Sequence, residues 1–71
     1  MRAAELLRRL RRRAKRLGLE HEETPGKGSH RKVRHDGRAT VVSVHGGDLA
    51  QGTYRAILRQ LGLTEEDLED D

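Results

Sequence analysis

The chain contains four histidines, 15 lysines and arginines, and no cysteine. One histidine stands apart. His30 directly follows the loop "PGKGS", residues 25–29, and the cations Lys27, Arg31, Lys32 and Arg34 surround it in sequence. Glycines let backbone N–H groups approach an anion closely. Lysine and arginine neutralise phosphate charge, and an imidazole with an ordinary pKa of ~6.5 takes or gives a proton near neutrality. These are the parts for metal-free phosphodiester cleavage in RNA. One group moves a proton at the 2′-hydroxyl or the leaving oxygen, and cations stabilise charge developing on the phosphorus oxygens. The same residues also describe an ordinary solvated turn and strand, so the elements around them must decide.

Other chemistries find less support. His21, His30, His35 and His45 show no two-histidine spacing on a helix, nearby acids are sparse, and no metal site is expected. No nucleophile elbow is present. "PGKGSH" is not a phosphate-binding Walker loop, because its lysine lies between glycines and a strand, not a helix, follows. No cofactor is implied.

A chain of 71 residues makes one domain. Only 32% of its residues are apolar and Tyr54 is its single aromatic, so the core must be built from Leu, Val, Ile and Ala. There is no disulfide to staple it, and the absence of cysteine fits a reducing compartment. No run of about 18 apolar residues exists to span a membrane, and the N-terminus lacks the apolar stretch of a signal peptide. The expected location is the cytoplasm. Charge is polarised along the chain: residues 1–17 hold eight basic groups and one acid, whereas residues 65–71 hold six acids and no base. A basic body of net charge +3 with an acidic tail suits a polyanion partner, with RNA or DNA as the first candidates.

Residues 2–17 have helical periodicity. Ala3, Leu6, Leu7, Leu10, Ala14 and Leu17 fall within an arc of about 100°, and Gly18 is placed to cap the helix with Leu19 beyond it. Residues 19–24 form a weak strand, punctuated by Pro25-Gly26. In residues 29–35, alternation puts Arg31, Val33 and His35 on one face and His30, Lys32 and Arg34 on the other. Asp36-Gly37 is a two-residue hairpin signal, and "RATVVSVH", residues 38–45, is the best strand in the chain. Gly46-Gly47 ends it. Asp48 is expected to cap a second helix whose stripe is Ala50, Tyr54, Ile57, Leu58 and Leu61. Gly62 closes that helix with Leu63 folding back, and Thr64 with Asp67 begins a short acidic turn before the tail frays. The expectation is one α+β domain over residues 1–71, ordered helix, three strands, helix, with both apolar stripes on one face of an antiparallel sheet.

Three pieces recur together here. They are Gly28-Ser29-His30, the strand carrying Val41, Val42, Val44 and His45, and the helix "GTYRAIL" with Gly52, Thr53, Arg55, Ile57 and Leu58 closed by Gly62-Leu63. In this combination the chain resembles the HicA family of bacterial toxin–antitoxin proteins over roughly residues 3–68. The resemblance implies an α-β-β-β-α fold like a double-stranded-RNA-binding domain, with a three-stranded antiparallel sheet. It implies an mRNA endoribonuclease acting on single strands with one catalytic histidine, which maps onto His30. Lys27, Gly28, Ser29, Arg31, Lys32, Arg34 and His45 are then the expected RNA contacts. It also implies a HicB-type antitoxin as partner, with DNA binding left to that antitoxin. A non-catalytic RNA-binding module of the same fold is the alternative. Pro25-Gly26 is the part of the loop for which the likeness does not account.

Overall fold

The computed structural model describes residues 1–44 and 47–69. Its order is α1 (Ala3–Leu17), β1 (His21–Pro25), β2 (His30–His35), β3 (Arg38–Ser43) and α2 (Gln51–Leu61), followed by a 3-10 turn, Glu65–Leu68. The strands form one antiparallel sheet in the order β1-β2-β3. The α+β arrangement expected from the sequence, like that of a double-stranded-RNA-binding domain, is therefore present.

Glycines end both helices. Gly18 (φ 69°) and Gly62 (φ 70°) adopt the left-handed conformation that a Cβ disfavours. The Leu19 and Leu63 N–H groups then reach back to the carbonyls of Ala14 and Leu58, at 2.8 and 2.9 Å. The helix starts are less regular. Asp48 does not cap α2: the residue at that position is Ala50, and no side chain caps the helix. Asp48 instead forms an antiparallel bridge with Arg2, next to a 2.9 Å hydrogen bond from the Leu49 N–H to the Met1 carbonyl. The chain's first residues thus take Asp48 out of capping range. Ala50, outside the regular helix, is exposed rather than part of the apolar stripe. Leu17 is also 52% exposed; as the last helical residue it contributes no core packing.

The core is one cluster. Ala3, Leu6, Leu7 and Leu10 of α1 meet Tyr54, Ile57, Leu58 and Leu61 of α2 over Val33 and Val42 of the sheet. Leu68 joins them at 2% exposure, so the start of the acidic segment is a docked turn, held by a Thr64–Asp67 capping box. Each buried Leu or Ile contributes roughly 1.5–3 kcal/mol relative to exposure, which is how a chain with one aromatic closes its interior. The opposite face of the sheet carries no helix among the described residues. Asp36 (φ 51°) and Gly37 (φ 82°) make the two-residue turn joining β2 to β3.

Candidate active face

β2 is the central strand, and its alternation sorts its side chains between two environments. Val33 and His35 are buried under the helices, with Arg31 half-buried beside them. His30, Lys32 and Arg34 stand exposed on the helix-free face. Register places their neighbours. Ser43 lies opposite His30, Val41 opposite Lys32, and Ala39 opposite Arg34; on the other side, Thr24 faces Lys32 and Glu22 faces Arg34. The Val44 N–H donates to the Ser29 carbonyl at 2.9 Å, which makes His30–Ser43 a non-hydrogen-bonded pair. In such pairs the strands approach most closely, with Cα atoms about 4.5 Å apart. Ser43 is therefore a hydroxyl neighbour of His30. Its register follows from the Asp36-Gly37 turn, but no chemical pattern in the sequence singles it out.

The loop before β2 fixes the histidine. The Lys27 carbonyl accepts both the His30 backbone N–H, at 3.2 Å, and the ring nitrogen Nδ1, at 3.1 Å. A carbonyl only accepts, so Nδ1 carries the hydrogen and Nε2 is the nitrogen free to exchange a proton. Gly26 closes the loop with an N–H···O bond of 2.9 Å to the His30 carbonyl. A Cβ on Gly26 would lie 2.9 Å from that oxygen and 3.2 Å from its carbon, so any side chain there must displace His30. Gly28 supplies a positive φ of 64° between them. Pro25 is accommodated because it ends an edge strand; its pairing with Arg31 is non-hydrogen-bonded, so the missing N–H costs no ladder bond.

The expected RNA contacts fall into three groups. Lys27, Gly28, Ser29, Lys32 and Arg34 share the loop and open face with His30, and Lys27, Lys32 and Arg34 form no ion pair among the described residues. Arg31 points to the helix side, where it pairs with Glu23 at 3.4 Å. His45 lies outside the described residues.

Glu23 belongs to a polar cluster under the sheet. Arg11 grips it bidentately at 2.6 and 2.7 Å, and His21 Nε2 lies 2.7 Å from Oε2. His21 Nδ1 faces His35 Nδ1 at 3.0 Å, and Arg13 donates to His35 Nε2 at 2.9 Å. Arginine can only donate, so one proton order runs through the cluster. His35 accepts at Nε2 and donates from Nδ1 to His21, which donates from Nε2 to Glu23. Arg11 above all, with His21, holds the Glu23 carboxyl down at about 2, despite the opposing effect of burial. Burial, followed by the fields of His21 and Arg13, lowers the His35 pKa. His35 is fully buried, with a hydrogen-bond partner at each ring nitrogen. This cluster faces away from His30 and is structural.

A family model, the HicA toxin of bacterial toxin–antitoxin systems, matches residues 7–63. Over 41 residues the chain is 44% identical to a probable mRNA interferase HicA of Pseudomonas fluorescens (strain Pf0-1), which covers 56% of this chain and 68% of that protein. No helix among the described residues is long and apolar enough to cross a membrane. With its Gly-Ser-His strand entry, valine strand and glycine-capped second helix in the expected arrangement, this chain belongs to the HicA toxin family.

Proposed function

We propose that the chain is a single-domain, metal-independent endoribonuclease acting on single-stranded mRNA, with His30 as its catalytic residue. The observation that carries this reading is the tethered imidazole: Nδ1–H is held by the Lys27 carbonyl on an exposed, helix-free face. Nε2 takes the proton from a ribose 2′-hydroxyl, whose oxygen attacks the adjacent phosphorus. The P–O5′ bond breaks, a 2′,3′-cyclic phosphate forms, and the leaving O5′ takes a proton from solvent water. Keeping Nδ1 protonated throughout leaves the ring orientation unchanged while Nε2 cycles. Lys27 stands beside this site to stabilise charge on the phosphoryl oxygens, and Lys32 and Arg34 hold the neighbouring backbone.

The name of the Pseudomonas relative supports RNA as the substrate. Membership of a toxin–antitoxin family supports a cognate HicB-type antitoxin that covers the open face, with both proteins acting in the cytoplasm. Cleavage of an oligoribonucleotide in EDTA tests the reading. Wild type cuts and His30→Ala does not; no cleavage by wild type would leave a non-catalytic RNA-binding module, and equal cleavage by the two proteins would take His30 out of the mechanism.

A further inference from the structure

A groove of about 500 Å³ crosses the open sheet face one row beyond His30. Val41 and Ala39 form its floor, and Val41 is 51% exposed, a large apolar side chain left without packing on an otherwise polar face. Lys32 and Arg34 line it from the central strand, both without an ion-pair partner among the described residues. Glu22 and Gln60 stand at its rims. The Thr40 hydroxyl bonds Gln60 Oε1 at 2.5 Å, which fixes one end of the amide and leaves its other end as a positioned polar group.

We propose that this groove is a nucleobase subsite, reading a base with an exocyclic amino group one or two nucleotides from the cut bond. The proposal rests on the ribonuclease reading above and adds a sequence preference to it. Successive side chains on one strand face recur every ~6.7 Å, so Lys32 and Arg34 lie ~7 and ~13 Å from His30. That step is comparable to the separation of phosphates along an extended single strand. A backbone cut at His30 therefore carries its next phosphates past both cations and brings a base over Val41 and Ala39. An apolar floor suits the face of any base. The Glu22 carboxylate only accepts hydrogen bonds when ionised, so it favours the amino edge of cytosine, adenine or guanine. Uracil presents two carbonyls flanking its single N–H, and a carboxylate repels them.

The test uses short single-stranded oligoribonucleotides in EDTA, with each base varied in turn around the cut site and kcat/KM measured for wild type, Glu22→Gln and Val41→Ser. Wild type disfavours uracil at one position within two nucleotides of the cut. Glu22→Gln removes about tenfold of that discrimination, within the range of one good base contact, and cleaves the uracil substrate at least as fast as wild type. Val41→Ser slows cleavage of all substrates with that position occupied, relative to substrates truncated before it. If both variants keep the wild-type base profile, the subsite is wrong. The same holds if they alter only inhibition by the cognate antitoxin, which would make the groove a protein-docking surface. Loss of the ribonuclease reading is separable, because it requires that wild type itself cut no RNA in EDTA. In that case, binding of an uncleavable 2′-O-methyl oligonucleotide decides the subsite by the same base series.

Discussion

At the scale of single residues, Gly26 resolves the part of the loop that the sequence left unexplained. The sequence marked Pro25-Gly26 only as a turn. The requirement for glycine comes from a contact across the loop, where the His30 carbonyl occupies the space a Cβ would need. No propensity or periodicity reports such a contact. His30 stood out through the resemblance of Gly28-Ser29-His30 to the family's strand entry, since its loop alone also describes a solvated turn; the tether from Lys27 to its ring could not be read from the sequence. Gly26→Ala should therefore act on catalysis through the position of His30. The expected result is a fall in kcat on the order of 10²-fold, the scale set by displacing a catalytic group by about 1 Å, with RNA affinity kept within a few-fold. Unchanged kcat in a folded Gly26→Ala protein would show that the loop does not position the ring. Ser43 was missed for the opposite reason. Serine is common in strands, and only the narrow pairing with His30 gives it a place at the site.

At the scale of elements, the alternation of β2 separates two kinds of cation that composition counts together. Arg31 faces inward and is tied to Glu23, whereas Lys32 and Arg34 face outward without ion-pair partners among the described residues. The sequence already divided them, since a period of two allows no other arrangement within one strand. The RNA contacts expected from the resemblance include Arg31, which this division places on the opposite face from Lys32 and Arg34. Contacts with phosphate release counterions, and each one lost from a single-stranded complex lowers the salt slope of log K by about 0.7. Lys32→Ala and Arg34→Ala should each lower it by about that amount, and Arg31→Ala should leave it unchanged. Titration of an uncleavable oligonucleotide at several salt concentrations measures all three; an equal loss for Arg31→Ala would put RNA on both faces. The start of α2 was misread at this scale. Asp48 has the right residue type for a cap, but its pairing with Arg2 depends on the far end of the chain.

At the scale of the whole molecule, helix periodicity gave most of the core and missed what closes it. Leu68 sits among six acids in sequence and is 2% exposed, because the Thr64–Asp67 box turns the chain back onto α1 and α2. The polar cluster under β1 was equally hidden, since it draws Arg11 and Arg13 from α1, His21 and Glu23 from β1, and His35 from β2. It has a consequence for pH. His35 is depressed below its ordinary 6.5 in the fold, so the unfolded chain takes up a proton first as the pH falls. Stability from this group is complete above about 6.5 and declines below it. Glu23 contributes stability that is complete above its ordinary 4.5 and is lost as the pH falls toward about 2. Both act in the same direction, so stability should fall steadily on acidification below about 6.5. Urea unfolding at about pH 7.5 and about pH 5.5 checks the first step. Wild type should be less stable at the lower pH, and His35→Gln should lose most of that difference whatever its absolute stability. An unchanged pH dependence in His35→Gln would assign the step to another group.

The central claim is that His30 moves the proton. Its most direct test is the single-turnover rate of RNA cleavage in EDTA by purified His30→Ala protein, with affinity for the uncleavable oligonucleotide measured alongside. The account predicts that cleavage falls by about 10²-fold or more while binding, carried by Lys27, Lys32 and Arg34, is retained. Cleavage by His30→Ala at the wild-type rate would contradict it.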